Sequence, residues 1–536
     1  MKWRTLEHNG VAFPPLYEPK GLSITMMGEV VNLTPEQEEM AYAWALKKDT
    51  QYVRDSVFIK NFLSDFLKCF PDKYRNASIE DIDFTRVNGY VEAERARKSD
   101  PQMKKILSAE RKRIREELKS IYGQARIDGE VVDVANWMVE PPGIFMGRGN
   151  HPLRGRWKPR IFAEDVTLNL GEQAAIPPGN WGQVIHDHDS MWLARWNDKL
   201  TGKEKYVWLS DAATIKQKRE RAKYDKAAEL ERNIENVRQR IREAMNSEDK
   251  RLRKIAMACY LIDKLAMRVG DEKEKDEADT VGATTLRVEH VKLSAGAIEF
   301  DFLGKDSVRW QKTIDLASED RAVFKNFAEL LNGKKPGDQI FDDISSRVVN
   351  HFLGKILPGL TAKVFRTYLA TKEAKSYLTS LGPQVVKGSE RLKMYHVKMA
   401  NLMAAIKCNH KKAPPKNWEN TLARKEEAVI KIENQLREAK TKRKQTRLQA
   451  RLEQARLALD IALKTKEYNL NTSLKNYIDP RLFKAWGKVM GIDWRKVYTA
   501  SLQRKFTWVV KASVKNLIRD FEAIYRPKPI PVVTAS

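Results

Sequence analysis

Arg268, Lys305, Arg366, His410 and Tyr477 follow one another along the chain. They are the residue types that a metal-free attack on a phosphodiester requires. As the phosphorus becomes five-coordinate, cations must take up the charge on its oxygens while a protein nucleophile attacks in line. The planar fork of arginine matches two non-bridging oxygens at once. A tyrosine can be that nucleophile if its phenol, with an ordinary pKa of ~10, is activated.

Each residue has a plainer reading when taken alone. Arg268 could close an apolar helix over residues 250–268 as an ordinary C-terminal cation. Lys305, in the turn Gly304-Lys305-Asp306-Ser307, could be solvated. Lys363 and Arg366, three apart on one helix face, could be a surface patch. His410 ends a helix after Cys408-Asn409 and could be structural, and Tyr477, just before Ile478-Asp479-Pro480, could be a core tyrosine.

Other chemistries are poorly supplied. Glu299 stands where the first glycine of a phosphate loop ending at Gly304-Lys305 would be, and no strand-to-helix Gly-x-Gly-x-x-Gly turn occurs, so an ATP-driven motor is not expected. The stretch His186-Asp187-His188-Asp189 has metal-binding residue types but no third ligand pair nearby, which favours a turn or edge strand. No separated carboxylates in apolar strands suggest a two-metal nuclease. No metal and no cofactor are expected.

The bulk numbers point to a polyanionic partner. The 536 residues carry 98 Lys and Arg against 71 Asp and Glu, a net charge of +27. Nucleic acid is the first candidate and an anionic membrane surface the second. No run of ~18 apolar residues offers a membrane span. The first residues, Met1-Lys2-Trp3-Arg4, lack an apolar signal core. Cys69, Cys259 and Cys408 show no paired spacing. That argues for a reducing compartment and against disulfides or a zinc site.

The pattern along the chain places these residues. Residues 1–20 are proline-punctuated and read as a strap. Residues 21–102 mix short strands with helices over 35–47 and 55–70. Residues 104–122 form a charged helix with a stripe of Ile106, Leu107, Ile114 and Leu118. Tryptophan-rich residues 123–213 read as β-rich, a long charged helix covers 218–245, and a β-meander is expected over 286–293, 298–303 and 308–314. Residues 417–467 differ in kind. Leu422, Val429 and Leu436 recur every seven residues, and Leu448, Leu452, Ala455 and Leu459 form a second stripe. This predicts an antiparallel helical hairpin with the basic tip Lys440-Thr441-Lys442-Arg443-Lys444, projecting as an arm. A compact helical tail follows.

Taken in order, the five residues and their contexts resemble the eukaryotic type IB DNA topoisomerases. The strings that carry the resemblance are residues 261–266, 284–290, 301–307, 360–368, 408–415 and 475–481. Upstream they are joined by Pro141-Pro142-Gly143 through His151-Pro152, by 3–10 and by Tyr17-Glu18-Pro19. The likeness spans nearly the whole chain. It implies an α+β multidomain DNA clamp with mixed cap subdomains, a mainly helical tyrosine-recombinase-like catalytic domain, an antiparallel coiled-coil linker and a small helical C-terminal domain. The boundaries expected are 1–20 with 103–213 for the first core subdomain, 21–102 for the cap, 214–416 for the catalytic part, 417–467 for the linker and 468–536 for the C-terminal domain.

The resemblance also assigns roles. Tyr477 would attack a DNA phosphate, with Arg268, Arg366 and His410 around that phosphate and Lys305 protonating the leaving oxygen. Arg148, Thr280, Asp306, Lys363 and Asn476 match positions near the cleaved phosphate or its flanking bases. The implied protein is a nuclear monomer acting on duplex DNA with little sequence preference. The sequence departs from the family in places. Met146 stands where arginine is usual, the hairpin is short, residues after Val510 find no match, and the family's long charged N-terminal region is absent. Tyrosine recombinases use a similar set but usually have histidine at the position of Lys363. A non-enzymatic DNA-binding protein with a helical arm would explain the charge but not five such residues in order.

Overall fold

A computed structural model of the chain describes residues 2–147, 150–270, 281–304, 308–318, 321–415 and 417–525. The structure is a mixed α and β protein of two compact bodies that divide near residue 216.

The first body begins with β1 (Leu6–His8), β2 (Ser23–Met26) and β3 (Glu29–Asn32). There follow α1 (Pro35–Ala45), α2 (Ser56–Phe66), β4 (Ile82–Asp83), α3 (Thr85–Ser99) and α4 (Pro101–Tyr122). Then come β5 (Gln124–Ile127), β6 (Glu130–Asp133), β7 (Gly143–Ile144) and β8 (Trp157–Lys158), and last β9 (Val166–Asn169), β10 (Gln183–Ile185), β11 (Trp192–Asn197) and β12 (Glu204–Trp208). One sheet runs β1-β5-β6 and another β10-β9-β11-β12. Both share a core that includes Trp3, Leu6, Leu168 and Trp196. The N-terminal strap is therefore partly a strand of its own, because Leu6–His8 pairs antiparallel with Ile127–Ala125.

A separate core gathers around α1 and α2. Phe58, Phe62 and Phe66 recur every four residues on α2, which puts them on one face. All three are buried, and Phe62 stacks on Trp44 with ring centroids 4.4 Å apart. Thr34 caps α1 through a reciprocal pair with Gln37, satisfying amide donors that the helix start leaves open. The charged helix α4 behaves differently. None of its residues is buried, and Ile106 and Ile114 of its apolar stripe are exposed.

The second body holds α5 (Thr214–Met245), whose first residues fall in the first body, and α6 (Lys250–Leu265). The meander follows as β13 (Val291–Leu293), β14 (Ala297–Gly304) and β15 (Val308–Asp315). Then come α7 (Arg321–Leu331), α8 (Ser346–Ile356), α9 (Ala362–Thr379), α10 (Glu390–Lys407), α11 (Trp418–Arg437) and α12 (Lys442–Thr465). The tail is α13 (Leu470–Asn476), α14 (Pro480–Met490), α15 (Ala500–Lys505) and α16 (Lys515–Tyr525). A continuous core joins α5, α6, the β13-β14-β15 sheet, α9, α10 and the tail helices. Arg268 does not end a helix, since α6 stops at Leu265 and Ala266 takes a left-handed φ of 54°. The first meander strand is shorter than expected, because residues 288–290 form a turn of tight helix.

The helices α11 and α12 pack on each other through Val429, Ile432, Leu448 and Leu452, with Leu436, Ala455 and Leu459 alongside. Leu422 lies outside that seam. The pair is not a wholly free arm. Near its base, α12 is tied to α10, where the Tyr395 hydroxyl donates to Asp460 at 2.6 Å.

Candidate active site

Several separate pieces of the second body converge on one cavity of about 100 Å³. Its walls include Arg268, Arg366, Asn409 and His410, together with Gly304, Val308 and Thr472.

Each piece is held from its own surroundings. The segment carrying Arg268 leaves α6 through the left-handed Ala266 and is clamped from behind. Ala283 N–H donates to the Arg268 carbonyl at 2.8 Å, and Thr284 N–H to the Val269 carbonyl at 2.7 Å. This close approach requires Gly282, where a Cβ would sit 2.4 Å from the backbone nitrogen of Gly270. Arg366 projects from the second turn of α9 and is buried. His410 follows α10 past Asn409, whose φ of 51° turns the chain out of the helix. Tyr477 ends α13, because Pro480 lies just ahead and the Asp479 side chain caps α14 instead.

Arg366 organises the centre. It donates from Nη1 to the Ala266 carbonyl, and from Nη2 to the Cys408 carbonyl at 2.9 Å and to His410 Nε2 at 3.1 Å. Its Nε–H is buried with no hydrogen-bond partner among the described residues. The same guanidinium lies 5.1 Å from the centre of the Tyr477 ring. The rings of His410 and Tyr477 are 5.0 Å apart. On its far side, His410 Nδ1 is 2.9 Å from the Ser473 hydroxyl.

These contacts set the charge states. Burial, then the fields of Arg366 and Arg268, push His410 down to about 3, so the ring is neutral near pH 7. Burial alone would push the Tyr477 phenol up. The charges of Arg366 and Arg268 outweigh it and leave the phenol below its ordinary value. A buried tyrosine whose acidity is raised by two guanidiniums has the chemistry an oxygen nucleophile needs.

The turn bearing Tyr477 is gripped from behind. The Thr371 hydroxyl donates to the Tyr477 carbonyl at 3.3 Å and accepts from Asp479 N–H at 3.0 Å. Arg481 forks onto Asp479 and reaches Asp225 of α5 at 2.6 Å. Lys223, two residues earlier on α5, donates to the Asn476 carbonyl at 2.9 Å. Burial and the nearby charges of Lys505 and Lys363 hold the Lys223 ammonium below its usual range, although Glu220 opposes them.

Of the residues expected from sequence, Arg268, Arg366, His410 and Tyr477 come together. Asn476 adjoins them and is half-buried. Lys363 is exposed at the start of α9 while Arg366 is buried, so the two do not share one surface patch. Lys305, Asp306, Thr280 and Arg148 lie outside the described residues. Gly304 and Val308, which flank Lys305 and Asp306, pair with each other and both line the cavity. His186 and His188 fall in a loop just after β10, with Nδ1 of each within hydrogen-bond distance of a backbone carbonyl, Leu170 and Trp3. Ser473, Thr371 and Lys223 escaped sequence reasoning. The only available signal was the four-residue spacing of Ser473 and Tyr477, one helical turn.

Comparison with known proteins shows the family. Residues 212–443 match the catalytic core of eukaryotic DNA topoisomerase I, residues 1–209 its DNA-binding fragment and residues 449–517 the C-terminal topoisomerase domain. The chain is 35% identical to DNA topoisomerase 1 of Homo sapiens over 550 residues, covering 95% of this chain and 71% of the human protein. It is 36% identical to DNA topoisomerase 1 of Drosophila melanogaster, over 96% of this chain and 55% of that protein. DNA topoisomerase 1 beta of Arabidopsis thaliana is 36% identical over 95% of this chain and 58% of its own length. The chain belongs to the eukaryotic DNA topoisomerase I family.

Proposed function

We propose that this protein is a type IB DNA topoisomerase that relaxes supercoiled duplex DNA through a covalent bond to Tyr477. The observation that carries the reading is the Tyr477 phenol lying beside buried Arg366, its acidity raised by Arg366 and Arg268, with neutral His410 against the same guanidinium.

Tyr477 gives its phenol proton to water and attacks the scissile phosphorus. The bond from phosphorus to the 5′ oxygen breaks, and a 3′-phosphotyrosine and a 5′-hydroxyl form. Arg268 and Arg366 stabilise the charge on the non-bridging oxygens, and His410 donates a hydrogen bond to one of them. Lys305 supplies the proton to the departing 5′ oxygen. Exchanging one phosphodiester for another is roughly isoenergetic, so religation reverses the step without ATP. Arg148, Thr280, Asp306, Lys363 and Asn476 hold the flanking nucleotides.

The wider arrangement follows the family. Residues 1–20 with 103–213, 21–102 and 214–416 form the three core subdomains of a monomeric clamp. Residues 417–467 are the coiled-coil linker, and 468–536 the C-terminal domain. The excess of cations grips phosphates with little sequence preference, and the cut strand swivels under torsional strain. The protein works in the nucleus.

Plasmid relaxation in EDTA without ATP tests the reading. The wild type relaxes any supercoiled plasmid and leaves a 3′-linked adduct when trapped with denaturant. Tyr477→Phe binds DNA but forms no adduct. A strict need for metal or ATP, or an adduct in Tyr477→Phe, would overturn it.

A further inference from the structure

The contact between Arg366 and His410 has a definite polarity. A guanidinium has only donors. At 3.1 Å from Arg366 Nη2, His410 Nε2 must therefore accept, and it carries no proton. The ring is neutral, so its one proton is on Nδ1 and points at the Ser473 oxygen 2.9 Å away. This is the wrong arrangement for holding a phosphate, because a phosphate oxygen needs a proton on Nε2. Forming an imidazolium would supply one, but at high cost in a buried ring flanked by Arg366 and Arg268. The remaining route keeps the ring neutral. Nδ1 gives up its proton to water and Nε2 takes one from water, with the ring uncharged before and after.

That route requires a partner on Nδ1 that can first accept and then donate. A backbone carbonyl or a carboxylate can only accept, and would hold the ring in its free-state tautomer. A serine hydroxyl has one proton and two lone pairs. Ser473 is fully buried and placed by its own backbone, since its carbonyl accepts from Tyr477 N–H at 2.9 Å and Ile478 N–H at 3.1 Å. One residue thus fixes both the nucleophile's turn and the far side of the imidazole.

We infer that Ser473 is a positioning residue that supports both tautomers of His410, letting Nε2 change from acceptor of Arg366 to donor toward the scissile phosphate. This rests on the proposed reaction, and its test separates the two. Long-range proton–nitrogen correlation on protein labelled with 15N-histidine reads the tautomer of His410, identified by loss of its signals in His410→Gln. In the free wild type, Nδ1 is protonated. In Tyr477→Phe with a short duplex, the proton is on Nε2. Adding Ser473→Ala to Tyr477→Phe blocks that reversal, and Ser473→Thr, which keeps the hydroxyl, restores it. With Tyr477 intact, Ser473→Ala slows single-turnover cleavage about a hundredfold to a thousandfold at unchanged DNA affinity, the scale for losing one preorganised donor. A proton on Nε2 in the free wild type, the same reversal in Ser473→Ala, or failure of Ser473→Thr to restore it would each sink the inference. A ring that ignores the duplex sinks it too, and adduct formation at Tyr477 then decides separately whether the reaction stands.

Discussion

Arg366 serves Tyr477 and His410 with one guanidinium, lying 5.1 Å from the centre of the phenol ring while its Nη2 sits 3.1 Å from the imidazole Nε2. Two more of its bonds go to the carbonyls of Ala266 and Cys408. Acidity of the Tyr477 phenol, charge of the histidine and the path of two loops therefore depend on the same side chain.

Arg366→Lys keeps the charge but cannot span these acceptors. Cleavage should fall about 100-fold or more, the scale of a lost oxyanion donor. Unfolding of the second body should become easier by about 1–3 kcal/mol, from buried carbonyls left unpaired. Single-turnover cleavage and urea denaturation read the two effects, and a wild-type rate in the lysine variant would show that charge alone suffices.

The phenol of Tyr477 should ionise below the ordinary tyrosine range. Ultraviolet difference titration of the wild type against Tyr477→Phe isolates its transition. Arg268→Gln removes one of the two cations that oppose burial, so the transition moves to higher pH. No movement would mean that Arg268 does not act on the phenol.

His410 couples stability to acid. Its folded value is about 3 against an ordinary 6.5, so in that window the unfolded chain binds the extra proton. Stability therefore falls as pH drops from 6.5 toward 3, by up to about 1.4 kcal/mol per pH unit, and is flat above the window. His410→Asn should flatten the slope. Chemical denaturation at several pH values measures it, and an equal slope in both proteins would assign the acid sensitivity elsewhere.

The Thr371 hydroxyl bonds to the backbone on both sides of Ile478, in the turn that carries Tyr477. Thr371→Val keeps the shape and loses both hydrogen bonds, costing ~1 kcal/mol of stability. Cleavage should slow about tenfold at constant DNA affinity, equivalent to ~1.4 kcal/mol at the transition state. Thr371→Ser should restore the rate. Equal slowing in Thr371→Ser would point to packing rather than hydrogen bonding.

Local patterns were legible where local physics decides them. The helix at α2, the two stripes of the helical hairpin and the strands β14 and β15 all follow from local sequence pattern, while the expected turn at Lys305-Asp306 lies outside the described residues. The end of α6 was not legible. Alanine carries no mark of a left-handed φ, and the Ala266 carbonyl is taken by Arg366 of α9, far along the chain. The same holds for the site. The types and order of Arg268, Arg366, His410 and Tyr477 could be read, whereas the supports at Ser473, Thr371 and Lys223 arise only when distant helices meet. The apolar stripe of α4 shows the opposite failure, a clear pattern that buries nothing.

His410 and Tyr477 stand on opposite sides of the α11–α12 hairpin, yet its base is sewn shut. Lys412 N–H donates to the Glu467 carbonyl at 2.8 Å, Asn469 N–H donates to the His410 carbonyl at 2.7 Å, and Lys411 bridges to Tyr468. Whatever lies between those stitches is a segment whose two ends are held side by side. Natural selection can therefore lengthen, shorten or recharge the hairpin from one lineage to another while the histidine and the tyrosine keep their places.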